Sequence, residues 1–265
     1  MSLYGRVIST SFKTYSVHRF NFFTATLFGF GELVLKISIW QALYAARGGA
    51  SLAGISLHDM IAYNIVSSFS MSFVGCRIMY EINEMVQKGD IGQRLLLPLG
   101  FRRHFFQTTL SENAFYTLYA AIPPILVAVL VYGFRIEIRL LTVLAYLVSL
   151  SLALVIHFQV QFLLGLLVFW VRNAFFLDWM NMALFNLFSG SFVPMWFFPG
   201  WLNTVGLALP FRSIVFEPTA IMLGQTTGPD LVRVLLVQVA WVLVGYLAST
   251  GLWRKAQRLV FAQGG

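Results

Sequence analysis

The chain has 265 residues, of which 58% are hydrophobic and only 11% carry a charged side chain. So little charge cannot solvate the surface of a soluble protein of this size, so the composition predicts an integral membrane protein. The formal net charge is +8, but the basic residues lie in loops beside apolar segments, which is typical of membrane topology and attraction to anionic lipid and argues against nucleic-acid binding.

The N-terminal segment, residues 1–21, is predicted to be an amphipathic helix lying in the membrane interface. Its apolar side chains recur at helical spacing, at Tyr4, Ile8, Phe12 and Tyr15. Its basic residues fall off that stripe, as in a helix that lies on a membrane. The alternative is a frayed polar tail. No cleavable signal peptide is predicted.

Six segments are long and apolar enough to be transmembrane helices, since crossing the hydrocarbon takes about 20 apolar residues. They lie at about 22–44, 60–80, 105–132, 140–171, 175–197 and 231–253. The predicted fold class is therefore an all-α polytopic membrane protein, with one transmembrane domain over residues 1–265. Twelve Lys and Arg on the side of the termini against five on the other side predict that both termini are cytoplasmic.

Polar side chains inside the predicted spans are candidates for a substrate path or a gate. Glu32 and Lys36 lie four residues apart in the first span, the spacing of a helical ion pair. His157 and Gln161 share one face of the fourth span, and Asn186 is a polar residue in the fifth span. A charge at mid-membrane is costly, so we expect Glu32 and Lys36 to face protein or water. The alternative is that these residues are structural. Glu32 and Lys36 would then be a mutually neutralised ion pair, and the other polar side chains would form interhelical hydrogen bonds.

A charged segment, residues 84–98, separates the second and third predicted spans. Glu84 continues the helix of the second span, and Gly89 ends it. Asp90 can then cap a short helix that begins at Ile91 and stops at Pro98. This helix presents the apolar side chains of Ile91, Leu95 and Leu96, with the polar side chains of Gln93 and Arg94 beside them. A short, rigid helix parallel to the membrane can fill a cleft on a soluble partner. The alternative is a solvated loop without a specific role.

The segment 199–230 is too polar and too rich in proline to be a span, and too apolar to be an ordinary loop. It is predicted to form short helices that dip into the outer leaflet, shielded from lipid by the bundle.

The chain has no phosphate-binding P-loop, because none of its four lysines follows glycine and precedes serine or threonine. Any ATP-driven function therefore needs a second chain. Ser189 to Ser191 superficially resemble a nucleophile turn, but small residues of this kind more often serve helix packing. One cysteine, Cys76, and four scattered histidines predict neither an intramolecular disulfide nor a metal site.

Two blocks of the sequence resemble the permease subunits of type-2 ABC exporters, in particular their short bacterial branch. The first is Lys88-Gly89-Asp90-Ile91 followed by Leu95-Leu96-Leu97-Pro98-Leu99, which is similar to the family's coupling helix after the second span. The second block runs from Ser189-Gly190 to Leu223-Gly224, and includes Val193-Pro194, Phe198-Pro199-Gly200-Trp201, Leu209-Pro210-Phe211 and Glu217-Pro218. It is similar to the end of the family's fifth span and its outer re-entrant segment.

The resemblance implies six spans, an N-terminal connecting helix, a coupling helix at 84–98 and outer re-entrant helices at 199–230. It implies a second permease, identical or paralogous, and two nucleotide-binding ATPase subunits that bind ATP and Mg. This chain would then bind no cofactor and be no enzyme by itself. Its place would be the bacterial inner membrane, where it would move a substrate outward. Met85, Val86 and Gln87 stand where drug-exporting relatives often have a charged run, which weakens the assignment of a drug substrate.

Two other classes of function stay open. A secondary transporter or channel would be expected to show internal repeats or paired broken helices. An intramembrane enzyme acting on lipid would need a polar cluster at one depth, for which His157 and Gln161 give the only hint.

Overall fold

The computed structural model describes residues 19–89, 100–133, 139–171 and 174–263. Within these ranges the chain forms helices and one isolated β-bridge, with no β-strand, which confirms the predicted all-α class. The helices are α1 (Arg19–Ala46), α2 (Leu57–Val74), α3 (Ile78–Lys88), α4 (Phe101–Tyr116), α5 (Ile122–Tyr132), α6 (Leu140–Leu167), α7 (Ala174–Phe188), α8 (Gly200–Leu207), α9 (Phe216–Met222) and α10 (Gly228–Gln263). The predicted interfacial helix lies outside the described residues, apart from residues 19–21, which begin α1.

Four of the described helical segments are long and apolar enough to cross a membrane: Thr24–Ala46, Phe101–Tyr132, Leu140–Leu167 and Gly228–Arg258. They coincide with the first, third, fourth and sixth predicted spans. In the second of these segments a π-helical turn, Thr117–Ala121, joins α4 to α5. Leu236, Leu243 and Leu247 of α10 are each more than half exposed, which suits a helix that faces lipid. The chain is therefore a multi-pass membrane protein.

The predicted second span, 60–80, consists of two helices. Ser56 caps the first of them, α2, by accepting a hydrogen bond from the main-chain N–H of Asp59 at 3.1 Å. The helix ends at Val74 because Gly75 has an extended backbone, with φ −48° and ψ 142°. The chain turns helical again only at Ile78, where α3 begins.

Side chains from two other helices satisfy the carbonyl groups at this break. A helix that ends away from water leaves its last C=O groups without intrahelical partners. Asn113 of α4 donates a hydrogen bond from Nδ2 to the main-chain oxygen of Phe73, at 2.7 Å. His157 of α6 places Nδ1 2.7 Å from the main-chain oxygen of Val74. The break is thus held by tertiary hydrogen bonds.

The predicted fifth span, 175–197, begins as α7 but the helix ends at Phe188. Gly190 follows in the left-handed region, with φ 78°, and its main-chain oxygen accepts a hydrogen bond from the hydroxyl of Tyr63 at 2.8 Å. A Cβ atom at Gly190 would lie 2.8 Å from Cβ of Phe216, so no side chain fits there. The end of α7 is fixed by close packing against α2 and α9.

The segment 199–230 contains short helices, as the sequence predicts. Pro199 precedes the first turn of α8, and Pro218 lies in the first turn of α9, positions at which a missing N–H costs nothing. The helical segments Gly200–Leu207 and Phe211–Met222 are bent by 78° to each other, a geometry found in broken spans and re-entrant loops.

The central helix of the bundle is α6, which contacts α2, α3, α9 and α10. Leu150, Ala153 and Ile156 on this helix are buried in the largest apolar cluster of the described residues. A second apolar cluster packs α3 against α6 through Ile82 and Phe162. The helix α3 therefore packs directly on the central helix of the molecule.

Candidate functional site

The five polar residues that the sequence nominates for a path or gate line one cavity. This cleft has a volume of about 650 Å³ and lies between α1, α2, α3, the α4–α5 rod, α6 and α7. The nominated residues in its wall are Glu32, Lys36, His157, Gln161 and Asn186. Residues from six separate helical segments therefore meet around one space.

Glu32 and Lys36 form the predicted ion pair, with Nζ of Lys36 2.7 Å from Oε1 of Glu32. The carboxylate side chain is 65% exposed whereas the lysine side chain is only 10% exposed, so the negative member of the pair has the freer access to the cleft. Nζ of Lys36 also lies 5.7 Å from the ring centroid of Phe192, within the range of a cation–π interaction.

His157 is a structural residue of the cleft wall. A carbonyl oxygen can only accept, so Nδ1 carries the proton that binds the main-chain oxygen of Val74. Nε2 then accepts from Nε2 of Gln161 at 3.4 Å, and the imidazole stacks on Phe185 at 5.0 Å between ring centroids. Both ring nitrogens are engaged in interhelical and local hydrogen bonds. The bond to Val74 is of the interhelical kind that the sequence left open as the alternative for His157, whereas Gln161 bonds to His157 within α6.

Ser189 and Ser191 bond to each other, with 3.0 Å between their hydroxyl oxygens, and both are buried. The hydrogen bonds of His157 go to Val74 and Gln161 instead. Within the described part of the chain, histidine and serine are thus not joined as nucleophile and base. The turn serves packing, as its small residues indicate.

Sequence reasoning missed two carboxylates of the cleft. Glu112 lies inside the predicted third span and Asp178 inside the predicted fifth span, and an intramembrane carboxylate is itself a signal of function. The hydroxyl of Tyr80 donates a hydrogen bond to the carboxylate of Asp178. Glu112 is half-buried and, among the described residues, forms neither a hydrogen bond nor an ion pair. Asn181, only 6% exposed, also lines the cleft with an unpartnered Oδ1.

The cleft has more acidic side chains than permanently basic ones. Its carboxylates are Glu32, Glu112 and Asp178, and its permanently basic side chains are Lys36 and Arg77. The carboxylate of Glu112 and Oδ1 of Asn181 can both accept hydrogen bonds from a bound molecule. The arrangement can therefore hold a polar or positively charged group within an otherwise apolar wall.

The segment predicted to couple to a partner, residues 84–98, begins in the C-terminal half of α3. Gly89 is in the left-handed conformation, with φ 75°, and its N–H binds the main-chain oxygen of Met85, so the helix stops at Lys88 as predicted. Glu84 and Lys88 form an exposed ion pair at 2.5 Å, and the lysine lowers the pKa of the Glu84 carboxyl. Six of the predicted coupling residues lie outside the described residues: Asp90, Ile91, Gln93, Arg94, Leu96 and Pro98.

The helices, the bent pair and the polar cleft define a multi-pass membrane protein with an internal binding space. Residues 30–264 match a family model described as ABC-2 family transporter protein. The chain therefore belongs to the ABC-2 transporter family, which confirms the resemblance drawn from the two sequence blocks. Its members are membrane permeases of ABC transporters, transport components that are generally non-catalytic and act with ATPase subunits. Comparison with curated proteins and with solved structures gives no match.

Proposed function

We propose that this chain is the membrane subunit of an ATP-driven exporter in the bacterial inner membrane. It pairs with a second permease, identical or paralogous, and docks onto two ATPase subunits that bind ATP and Mg. The chain crosses the membrane six times with both termini in the cytoplasm. In this arrangement α2 with the start of α3 forms the second span, and α7 with the residues that follow it forms the fifth.

One observation carries the proposal: α3 connects the cleft to the predicted coupling segment. Arg77 and Tyr80, at the start of α3, line the cleft, and Gly89 ends the helix where the segment 90–98 begins. A displacement of that segment is therefore transmitted along one short helix to the cleft wall.

The packing of α3 supports its role as the moving element. The extended backbone at Gly75 separates α3 from α2, so α3 can rotate while α2 stays in place. On the other side, Cδ1 of Ile82 would lie only 2.7 Å from a Cβ atom at Gly165, so α3 fits closely on α6. A rotation of α3 changes this contact and the hydrogen bond from Tyr80 to Asp178. Coupling requires such contacts to differ between two states.

Charge and polarity reversals in the coupling segment test the proposal. The full chain is purified with its ATPase subunits, reconstituted in liposomes, and compared as wild type, Asp90→Lys and Leu96→Asp. We expect nucleotide-dependent ATPase activity to fall about tenfold in both variants, a typical coupling free energy between sites. Asp230→Lys, an exposed charge reversal at the first turn of α10, is the matched control and should leave the activity unchanged.

Unchanged ATPase activity in assembled Asp90→Lys and Leu96→Asp complexes would overturn the coupling role. Substrate movement by the chain without any ATPase subunit would instead identify a secondary transporter or channel.

A further inference from the structure

A second cavity of about 870 Å³ lies between α4, α6 and α10. It is formed by the first turns of α4, by residues 155–159 of α6 and by the C-terminal half of α10. The exposed side chains of Leu243 and Tyr246 stand at its edge, so it opens onto the lipid-facing side of the bundle. None of its lining residues belongs to the cleft described above. We call it the lateral groove.

One end of the lateral groove is basic. The guanidinium of Arg102 lies 4.4 Å from the ring centroid of Tyr246, and its Nη1 donates to Oγ1 of Thr250 at 3.4 Å. Arg103 follows on the next position of α4 and is exposed. No Asp or Glu lines the groove, and among the described residues neither arginine has a carboxylate partner. Contacts with Tyr246 and Thr250 therefore hold Arg102 in place, and within the described part of the chain both arginines lack a carboxylate partner.

Most of the rest of the lateral groove is apolar, and Gln107, Gln159 and Ser249 are its further polar residues. Phe101 and Trp253 stack with 4.5 Å between ring centroids and an interplanar angle of 6°, and the buried Phe158 forms part of the groove wall. Val242 and Leu243 line the groove on α10 about 10 Å along the helix axis from Thr250, at a rise of about 1.5 Å per residue. The charged end and the apolar end are thus separated along the membrane-crossing direction of α10.

We propose that the lateral groove binds one anionic phospholipid, with its phosphate on Arg102 and Arg103 and an acyl chain along Leu243 and Phe158. Charge complementarity selects this occupant, because two uncompensated arginines at the end of an apolar groove favour an anionic headgroup over a zwitterionic one. Arginine suits the role because its planar fork binds phosphate oxygens in pairs. The site is separate from the cleft, so the proposal does not depend on the proposed export function.

Trp253 provides a local reporter for the test. The full chain is reconstituted in phosphatidylcholine bilayers that contain brominated phosphatidylglycerol or, at equal mole fraction, brominated phosphatidylcholine. Bromine quenches nearby indole fluorescence, and subtracting the signal of Trp253→Phe isolates the groove. We expect Trp253 to be quenched preferentially by the phosphatidylglycerol, with a preference that falls about tenfold in Arg102→Gln/Arg103→Gln. Arg102→Lys/Arg103→Lys should retain most of it.

The matched control is Arg254→Gln/Lys255→Gln, which removes two exposed charges from α10 close to the groove but not from its wall. This variant should keep the preference within about twofold, since a surface charge outside the groove acts only through screened attraction. An equal loss of the lipid preference in Arg102→Gln/Arg103→Gln and in Arg254→Gln/Lys255→Gln would attribute the effect to the general surface potential and overturn the site. Equal quenching of the wild type by both lipids would do the same. Loss of the preference on adding millimolar inorganic phosphate would reassign the groove to free phosphate.

Discussion

His157 and Val74 lie 83 residues apart in the sequence, yet Nδ1 of the imidazole is 2.7 Å from the main-chain oxygen of Val74. This contact joins α6 to the end of α2 at the point where the second predicted span is interrupted.

Replacing His157 with leucine should destabilise the protein. The substitution removes the donor and leaves the buried carbonyl of Val74 unpaired, which costs about 1–3 kcal/mol. A thermal unfolding series in detergent measures the change. Gln161→Leu is the control, because Gln161 donates to the other ring nitrogen over a longer distance, 3.4 Å, and leaves the contact with Val74 intact. An equal loss in both variants would contradict this role of His157.

Glu112→Gln should not lower stability and should lower transport. An unpartnered carboxylate inside a span is costly, so the neutral amide removes a penalty of about 1–3 kcal/mol. Thermal unfolding checks that part. ATP-dependent uptake of a cationic dye into inverted vesicles checks the effect on transport, with Asp230→Asn as an exposed control outside the cleft. Undiminished dye transport in Glu112→Gln would exclude the carboxylate from the path for such a cargo.

Gly245→Ala should disrupt the packing of α10 on α6, because the new Cβ would lie 2.0 Å from Oε1 of Gln159. Overpacking of this kind costs about 1–3 kcal/mol. Gln159→Ala in the same molecule should restore much of the stability, a coupling that a double-mutant cycle measures. Gly251→Ala is the matched control on α10, where no atom lies within 4 Å of the added methyl. It should stabilise the helix by up to about 1 kcal/mol.

Gly165→Ala should weaken coupling through α3. The methyl group would lie 2.7 Å from Cδ1 of Ile82 and push α3 away from α6. Nucleotide-dependent ATPase activity of the reconstituted complex should fall, and Ile82→Val, which removes Cδ1, should restore it in the double variant. If the double variant behaves like Gly165→Ala alone, the fit of α3 on α6 is not what transmits the displacement.

Removing one member of the ion pair between Arg212 and Glu217, at the α8–α9 bend, should destabilise the protein more than removing both. Arg212 donates from Nε to Glu217 at 2.5 Å and from Nη1 to Oδ1 of Asn203 at 2.6 Å. Removing one member leaves a buried charge unpaired, which costs about 3–5 kcal/mol. Arg212→Met/Glu217→Leu removes both charges and should be less destabilising than either single change in thermal unfolding. Additive losses would show that the ion pair is not the reason.

The sequence was sufficient to place the helices with long apolar windows and to nominate polar residues that meet in the cleft. Hydropathy did not reveal the interruption at Gly75, because the hydrogen bonds that satisfy it come from Asn113 and His157, which are distant in the chain. For the same reason it extended α7 past Phe188, where Tyr63 and Phe216 fix the turn at Gly190. Glu112 and Asp178 could have been found by the argument that identified Glu32, since all three are carboxylates inside predicted spans.

The hydrogen bonds of α2 have a consequence for where the molecule can change shape. Its Tyr63 is bound to the end of α7, its Ser70 hydroxyl lies 2.9 Å from the hydroxyl of Tyr146 on α6, and its last carbonyl is bound to His157. Three hydrogen bonds, two of them to α6 and one to the end of α7, therefore hold this helix in the frame of the bundle. Residues 75–77 are the non-helical link between that frame and α3. In the proposed mechanism, the stiffness of this short linker therefore sets how far a push at the coupling segment can travel.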